Sequence, residues 1–386
     1  MSPLTPEQQG VHDKIRNFAI KKNPEDIIID GPGGVGKGHL LKYIHFGWST
    51  FIDACRIFDN NFYISSLLTG TTNEACKVLG VQGTIYSHSR LRPCFRTNKM
   101  QPRGAPKLNS QLVFVDESSF VNQDQHEMIK AQLPNSRICW VMDSAQLAPV
   151  NEEFPYLTTL GLKTYPMTTI MRSQGKLQDF NTYLRKCVLD GVNPMVQEWH
   201  NGDSIICVDG KGFQKHLEQH YTTDWSPSTA RILSFHRERT RAYNEYIHTQ
   251  VYKHTELYPR GTILRQSGYS QAMRDGALLT VNSSSITKDS FGECYVFNKS
   301  QFMPVNPKEY IRNFKAEYGS KPEGLVNLQH TYANTIHVAQ GSTIETVFLD
   351  LIDVEDAYRI QREMYRRLVY SGASRASKRL IIRVSQ

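Results

Sequence analysis

The sequence predicts an α/β protein that folds as two parallel-sheet domains in one chain, each carrying an insertion. Three observations lead to this prediction. Residues 27–41 read IIIDGPGGVGKGHLL, which is an apolar strand, a glycine-rich loop and the start of a helix. Two more apolar strands, 112–115 and 138–142, run directly into acidic residues. After residue 175 apolar strands and helical segments alternate again, as expected for a second parallel sheet.

The composition is that of a soluble globular protein, with 39% hydrophobic and 21% charged residues. A formal net charge of +8 suggests a polyanionic partner, although a basic surface can also be only solvated. Seven scattered cysteines without a CxxC pair favour reduced thiols over a disulfide framework. The polar N-terminus and the lack of a long apolar run predict a cytoplasmic location without a membrane contact.

The chain begins with a predicted helix, in which Thr5 is the N-cap and Pro6 the first helical residue. The strand 27–29 and the helix from Lys37 then flank a GxxxxGK loop. Glycines let such a loop form a concave nest of backbone N–H groups, and the lysine supplies a point charge for a phosphate chain. The alternative is a glycine-rich turn without a ligand. The predicted nucleotide-binding residues here are Gly31, Pro32, Gly33, Gly34, Val35, Gly36, Lys37, Gly38 and His39.

One position departs from the P-loop pattern. The residue after the lysine is Gly38, where a serine or threonine hydroxyl would hold Mg²⁺. The strand 112–115 leads into Asp116, a candidate for holding Mg²⁺ through water, and into Glu117, a candidate base for the attacking water. An acidic pair after an apolar strand can also be a solvated strand end. The distance from the P-loop favours the functional interpretation.

The remaining elements complete the two domains. Residues 61–72 are a predicted strand and turn, and 90–107, with six basic residues and no acidic one, a loop or short hairpin. Beyond 175 we predict strands at 204–208, 231–235 and 346–351, one helix from about 355 to 371, and a final strand RLIIRV. Short runs separated by Gly, Ser and Asp predict a small antiparallel β insertion within 258–300.

Residues 142–150, MDSAQLAPV, resemble the third motif of the superfamily 1 helicases, with Asp143 and Gln146 at the matching positions. Other blocks resemble that family in the same order along essentially the whole chain. LTPEQ at 4–8 resembles its adenine-reading motif, which implies that Gln8 contacts the base. GTTNEACKVL at 70–79 resembles motif Ia, which places Thr72 at single-stranded DNA.

GTIYSHSRL at 83–91 resembles the TIHS block, with Tyr86 where a histidine is usual and with His88 after it. MTTIMRS at 167–173 is similar to the motif that ends in the γ-phosphate arginine, here Arg172. TIHVAQGST at 335–343 resembles the TxHxxQGxT motif of the second motor domain and carries His337, Gln340 and Gly341. YSGASRAS at 370–377 resembles motif VI, whose arginine is Arg375.

The likeness is greatest to the Dda-like and RecD-like group, which moves 5′ to 3′. It implies a DNA helicase that uses ATP and Mg²⁺ and has two RecA-like P-loop domains, 1–175 and 176–250 with 326–386. It also implies an SH3-like insertion at 251–325, where RDGALLTVN (274–282) resembles NGxLVxI, and a strand-separating pin at 90–107. The implied catalytic residues are Lys37, Asp116, Glu117, Gln146, Arg172 and Arg375.

The implied partners are single-stranded DNA, forked or tailed duplex DNA, and a single-strand-binding protein, in replication, recombination or repair in a phage or virus. Stacking rings and basic groups are typical of strand-binding surfaces. The predicted DNA-binding residues are Thr72, Tyr86, His88, Phe95, Arg96, Phe235, His236, His337 and Gln340.

Two other functions stay open at this point. One is a different P-loop enzyme such as a kinase, which would not need the glutamine block at 143–146 or the distal QG and SRAS blocks. The other is a nucleic-acid-binding P-loop protein with weak or lost ATPase activity, which the glycine at position 38 favours. Stimulation of phosphate release by single-stranded DNA would separate the three.

Overall fold

The structure is a computed structural model that describes residues 2–21, 25–93, 100–105, 112–149, 152–169, 175–268, 270, 272–322 and 324–385. The elements of the first half are α1 (Pro6–Ile20), β1 (Ile27–Asp30), α2 (Lys37–Phe46), α3 (Trp48–Arg56), β2 (Ser66–Gly70), α4 (Asn73–Leu79), α5 (Ile85–His88), β3 (Leu91–Pro93), β4 (Met100–Pro102), β5 (Leu112–Asp116), α6 (Gln123–Gln132), β6 (Arg137–Met142), β7 (Lys163–Pro166) and α7 (Lys176–Asp190).

The second half continues this numbering. Its elements are β8 (Ile205–Val208), α8 (Gly210–His220), β9 (Ala230–Ser234), α9 (Arg237–Tyr246), β10 (Ile263–Gln266), β11 (Leu278–Thr280), β12 (Ser284–Lys288), β13 (Glu293–Phe297), β14 (Gln301–Pro304), α10 (Pro307–Tyr318), β15 (Leu328–His330), β16 (Ala333–Thr335), α11 (Ile336–Ala339), β17 (Ile344–Asp350), α12 (Leu351–Ile360), α13 (Arg362–Ala373) and β18 (Ala376–Arg383). Within the ranges given above, no helix is both long and apolar enough to cross a bilayer.

Local sequence accounts for where the first helix begins. The hydroxyl of Thr5 accepts a hydrogen bond from the Gln8 N–H at 3.2 Å, and the Gln8 side chain accepts one from the Thr5 N–H at 3.0 Å. This is a reciprocal capping box, and Pro6 stands at the first helical position, where its missing N–H costs nothing. The predicted start of α1 is confirmed.

The first parallel sheet has the strand order β2-β5-β6-β1-β7. Its central strands β5, β6 and β1 are buried on both faces, so alternate residues of one strand enter different cores. Leu112 and Phe114 of β5 pack with apolar residues of α1 and α2, whereas Val113 and Val115 pack with those of α6. The apolar runs predicted as strands at 27–29, 112–115 and 138–142 are thus confirmed as strands of one parallel sheet.

The second parallel sheet has the order β16-β9-β17-β18-β8 and packs Ile232, Phe348 and Ile381 against Phe213 and Leu217 of α8. Between β9 and β16 the chain forms two three-stranded antiparallel sheets, β11-β10-β15 and β12-β13-β14. These two sheets share a small apolar core of their own. The expected antiparallel strands are present, and their SH3-like character stays a prediction.

Two elements differ from the sequence-based expectation. The single helix predicted at about 355–371 is wrong, because the backbone is extended at Gln361 (φ −157°, ψ 120°) and separates α12 from α13. The helix α10 within 251–325 was not predicted, although Asn306 and Pro307 carry the same cap-and-proline signal that marked the start of α1. The hairpin of β3 with β4 lies in the predicted pin region, but Phe95 and Arg96 fall outside the described residues.

The chain divides into two compact units, Met1–Val196 with Ala357–Ser374 and Gln197–Asp356 with Arg375–Gln386. Helices α7 and α13 pack on one another, and both belong to the first unit. The predicted boundaries put these two helices in the second domain instead. The compact units thus assign residues 176–196 and 357–374 differently from the predicted domains, and the functional domain assignment stays a prediction.

A buried carboxylate ties the start of β1 to β6. Asp26, 7% exposed, accepts hydrogen bonds from the Ile138 N–H at 3.1 Å and the Trp140 indole N–H at 3.2 Å, and pairs with Lys130 Nζ at 2.9 Å. Removing the acceptor would leave two buried donors without partners, which lowers the free energy of unfolding.

We therefore expect Asp26→Ala to lower the free energy of unfolding of the first unit by about 2–4 kcal/mol, measured by urea titration. Asp26→Asn keeps one acceptor oxygen and should lose less. Asp53→Ala is the surface control, because the exposed Asp53–Arg56 pair at 3.5 Å should contribute little. Equal stability of Asp26→Ala and Asp53→Ala would contradict this role.

Candidate active site

The carboxyl ends of the first sheet carry the candidate active site. Parallel pairing of β1 with β6 sets Asp30 opposite Met142, and pairing of β2 with β5 sets Gly70 opposite Asp116. Backbone bonds continue past the strand ends, with the Gly31 N–H donating to Met142 O at 3.2 Å. The segments that follow β1, β2, β5 and β6 therefore start at one edge, where parallel α/β sheets bind ligands.

Two glycines of the P-loop have no room for a side chain. A Cβ at Gly31 would overlap the carbonyl oxygen of Met167, and one at Gly36 would overlap the side-chain nitrogen of Gln8. Gly36 also has φ +81° and Gly34 +89°, in the left-handed region that favours glycine. The loop therefore keeps the open backbone that a phosphate-binding nest requires.

Gln8, the predicted adenine contact, lies against this loop, with its side-chain nitrogen donating to Val35 O at 3.2 Å. It is buried, and the capping box fixes it at the start of α1. This geometry puts the side chain beside the nucleotide loop. Its contact with a base stays a prediction.

The neighbouring Glu7 was not singled out from the sequence, yet its carboxylate bridges two elements. It accepts hydrogen bonds from the Thr168 N–H and hydroxyl, both at 2.8 Å, and from the Thr169 N–H at 2.9 Å. Although burial opposes the shift, these hydrogen bonds lower the pKa of Glu7. Arg172 lies a few residues further on, outside the described residues.

Lys37 begins α2, and its ammonium is held by the loop itself. It donates to Gly31 O at 2.6 Å and to Pro32 O at 3.0 Å. Gly38 follows in the helix and needs no glycine for steric reasons. A Cβ there would make only an ordinary contact, 3.6 Å from the Leu79 Cδ2. A Cβ therefore fits at this position.

The acidic pair after β5 has an unusual electrostatic environment. Burial and the adjacent Glu117 raise the pKa of Asp116 to about 6, although Lys37 and the Glu117 N–H oppose the shift. Glu117 has a left-handed backbone (φ 55°), and the Thr71 hydroxyl fixes it by donating to Glu117 O at 2.7 Å. Two close carboxylates that repel one another, next to a lysine and a nest, fit a divalent cation with oxygen ligands.

The loop after β6 carries Asp143 and Gln146, and both side chains are buried. Asp143 accepts hydrogen bonds from the Gln146 amide at 3.3 Å, Arg185 Nε at 3.2 Å and the Tyr370 hydroxyl at 2.6 Å. Sequence reasoning missed Arg185 and Tyr370. Each is one polar residue among several on an amphipathic helix, and nothing in its neighbouring sequence indicates a contact with Asp143.

In the second unit, three predicted DNA-binding rings lie together at the ends of β9 and β16. The ring centroids of Phe235 and His236 are 4.5 Å apart, and those of Phe235 and His337 6.5 Å. Asp353 holds this corner, since its carboxylate accepts from the Phe235 and His236 N–H groups at 2.6 and 3.0 Å. Burial, followed by the nearby Arg237, lowers the pKa of His337.

His236, Asp353 and Asp356 also place their ligand atoms within 4.8 Å of one another. His236 Nδ1 lies 3.0 Å from Asp353 Oδ1 and 4.0 Å from Asp356 Oδ2. Because backbone N–H groups already occupy the other oxygen of Asp353, this arrangement fits a carboxylate that anchors the turn before α9 better than a metal centre.

In the second unit, the block at 335–343 lies next to Arg375 from the end of the block at 370–377. Arg375, 6% exposed, lies with Nη1 3.5 Å from Ser342 O, and Gly341 has φ +77°. Gln340 is 7% exposed, and within the described residues neither polar atom of its amide has a hydrogen-bond partner. A buried amide without hydrogen-bond partners lowers the free energy of unfolding unless a ligand supplies the partners.

The other predicted DNA contacts have intramolecular partners. The Thr72 hydroxyl caps α4 through the Ala75 N–H at 3.1 Å, Tyr86 donates to the Gln125 side chain at 3.2 Å, and His88 Nε2 lies 3.0 Å from Gln82 O. His39, a predicted nucleotide-binding residue, has its ring 6.4 Å from that of Tyr43 on α2. The functional roles of all these residues stay predictions.

Comparison with known proteins agrees with this geometry. Residues 330–382 match the UvrD-like helicase C-terminal domain family. The resemblance to the superfamily 1 helicases is confirmed. No curated protein sequence matches this chain.

Solved Pif1 helicase structures share the fold. One is Pif1 helicase from Bacteroides in complex with ADP-AlF3 and ssDNA, with a TM-score of 0.54 and 13% identity over 100% of this chain and 93% of that one. Another is Pif1 helicase from Candida albicans, with a TM-score of 0.53 and 14% identity over 100% of this chain and 95% of that one. A third structure, described as the structural basis for DNA unwinding at forked dsDNA by two coordinating Pif1 helicases, has a TM-score of 0.56 and 14% identity over 99% of this chain and 92% of that one. The predicted α/β fold with two RecA-like domains is therefore confirmed.

Proposed function

We propose that this protein is an ATP-dependent DNA helicase that moves 5′ to 3′ along single-stranded DNA. The observation that carries the proposal is the grouping of the P-loop, Asp116 with Glu117, and Gln146 at one edge of the first sheet. That grouping occurs in a chain whose residues 330–382 match a helicase C-terminal domain. A kinase would need neither Gln146 nor that second domain.

In this proposal the P-loop N–H groups and Lys37 hold the phosphates of ATP, and Gln8 reads the base. Asp116 holds Mg²⁺ through water, and the ion neutralises charge on the phosphates. Glu117 takes the proton of the attacking water, while Gln146, Arg172 and Arg375 contact the γ-phosphate. The raised pKa of Asp116 supports a cation at this position, since a positive charge relieves the repulsion from Glu117.

The proposed partner of the second unit is single-stranded DNA. Aromatic rings offer stacking surfaces to bases of any sequence, and Phe235, His236 and His337 form such a group. The unsatisfied amide of Gln340 supports a ligand in the adjacent segment. Pif1 proteins of the same fold were solved with ssDNA and at forked DNA, which favours the same substrates here.

The finer parts of the proposal rest on the sequence resemblance. They are the 5′-to-3′ direction, a pin at 90–107 with Phe95 as the wedge and Arg96 beside it, an SH3-like module at 251–325, and a single-strand-binding protein as partner. A role in phage or viral replication, recombination or repair, in the host cytoplasm, follows from the same likeness.

The first test measures direction. A duplex with only a 5′ single-stranded tail should be unwound with ATP, and one with only a 3′ tail should not. Single-stranded DNA should stimulate phosphate release, and Lys37→Ala, which removes the phosphate-binding ammonium, should abolish it. Equal unwinding of both duplexes would contradict the direction, and release that DNA does not stimulate would contradict the helicase.

The second test concerns Gly38. Because a Cβ fits there, Gly38→Thr should supply a hydroxyl in place of the water that would otherwise complete the Mg²⁺ shell. We expect a lower Mg²⁺ concentration for half-maximal ATPase and a higher kcat, with unchanged DNA affinity. Gly38→Ala is the matched control, since it adds a Cβ without an oxygen and should leave the Mg²⁺ requirement unchanged.

An unchanged Mg²⁺ requirement in Gly38→Thr would show that position 38 lies outside the metal shell. ATP binding without hydrolysis in the wild-type chain would instead favour the nucleic-acid-binding protein with lost ATPase.

The third test concerns the ring cluster formed by Phe235, His236 and His337. Phe235→Ala should weaken single-stranded DNA binding by about tenfold, because base stacking on an aromatic ring is worth about 1–3 kcal/mol. Fluorescence anisotropy with a labelled oligonucleotide measures the affinity. Phe46→Ala removes a ring of the first unit that is 60% exposed, and it should bind as the wild type does. Equal affinity of the two variants would remove the cluster from the DNA site.

A further inference from the structure

The loop 143–147 is held on several sides by side chains of α7 and α13. From α13, Arg367 Nη1 donates to Ser144 O at 2.6 Å and to Gln146 O at 2.7 Å, and the Ser371 hydroxyl accepts from the Leu147 N–H at 3.2 Å. Residues 367, 370 and 371 recur at helical spacing, so one face of α13 meets the loop. The backbone around Gln146 is therefore fixed by side chains far away in sequence.

Asp143 is the centre of this arrangement. Its carboxylate, 2% exposed, has the Tyr370 hydroxyl and the Gln146 amide on Oδ2 and Arg185 on Oδ1. A buried carboxylate keeps its charge only when charged or polar partners satisfy both oxygens. Tyr370 makes the shortest of these hydrogen bonds and is itself 1% exposed.

Arg185 links Asp143 to the strand that enters the P-loop. Its Nη2 lies 3.1 Å from Asp30 Oδ2, and Asp30 in turn accepts from the Ser144 N–H at 2.7 Å and hydroxyl at 2.8 Å. The planar guanidinium spans the two carboxylates, which a lysine ammonium does less well. The Arg185 guanidinium thus pairs both with Asp143 of the loop that bears Gln146 and with Asp30, the residue before Gly31.

The Gln146 side chain is 3% exposed and uses its nitrogen for Asp143. In the described part of the chain, its Oε1 has no hydrogen-bond partner. With one N–H of the nitrogen committed to Asp143, the amide has its Oε1 and its second N–H left for a ligand. The orientation of the amide therefore depends on the orientation of Asp143.

We propose that Tyr370 and Arg185 are positioning residues for Gln146. They hold Asp143 so that its carboxylate fixes the Gln146 amide, leaving the second N–H for the γ-phosphate and Oε1 for the attacking water. This inference rests on the proposed ATP hydrolysis and adds two residues that touch no reacting atom. It assigns the polar face of α13 a role in hydrolysis, beyond packing.

Tyr370→Phe tests this role because it removes one hydroxyl and keeps the ring. We expect kcat for ATP hydrolysis at saturating single-stranded DNA to fall about tenfold, the effect of one lost orienting hydrogen bond. The KM for ATP and the DNA affinity should stay within about twofold, because neither contact involves Tyr370. Arg185→Lys, which keeps the charge but cannot span both carboxylates, is a second variant with the same expectation.

The matched control is Tyr310→Phe in the second unit. The Tyr310 hydroxyl also donates to a carboxylate at 2.6 Å, that of Asp289, and Tyr310 is 7% exposed. Its loss should leave kcat within about twofold of wild type. A kcat that falls equally in both tyrosine variants would overturn the proposal in favour of a general cost of losing a buried hydroxyl.

A double-mutant cycle separates positioning from packing. If Tyr370 acts through Gln146, Tyr370→Phe should change kcat less than about twofold in a Gln146→Ala background. Additive losses of kcat would overturn the proposal, as would a Tyr370→Phe enzyme with the wild-type kcat. Those outcomes overturn this inference alone. A wild-type protein that hydrolyses no ATP would instead overturn the proposed function, and this inference with it.

Discussion

The parallel register of the first sheet is the constraint on which the candidate active site depends. Pairing of β1 with β6 and of β5 with β6 places the residues after Asp30, Asp116 and Met142 at one edge. A slip of one residue in either pairing would turn the side chains of a strand to the opposite face. The alternating burial of Leu112 to Val115 on two different cores prevents such a slip.

That edge concentrates four carboxylates in two pairs with different surroundings. Asp30 and Asp143 share the Arg185 guanidinium and accept several hydrogen bonds, so their charges are compensated within the fold. Asp116 has Glu117 beside it and a raised pKa, which leaves it suited to an added cation. The contrast separates a structural pair of carboxylates from a carboxylate that fits a metal.

In the second unit a buried carboxylate fixes a turn. Asp353 of α12 accepts hydrogen bonds from two backbone N–H groups in the turn from β9 into α9. These bonds fix Phe235 and His236 as a pair, with His337 of α11 beside them. The ring cluster is thus a consequence of how β9, β16 and α12 meet.

The amino-acid sequence by itself determined the features that depend on a few neighbouring residues. The capping box at Thr5, the glycine spacing of the P-loop, the strand that ends at Asp116 and the blocks at 143–146 and 335–343 are all local. Their conformations follow from side chains within about one turn or strand, so their spacing is informative. The start of α10 at Asn306 was equally local and could have been predicted.

Only the tertiary structure decided which distant side chains complete these local features. Arg185 and Tyr370 reach Asp143 from helices 42 and 227 residues away, and Glu7 holds Thr168 across 161 residues. The assignment of α7 and α13 to the first unit has the same origin, since the chain returns to that unit after leaving it. Such contacts depend on where the sheet and its cores bring the backbone, and no spacing along the sequence encodes that position.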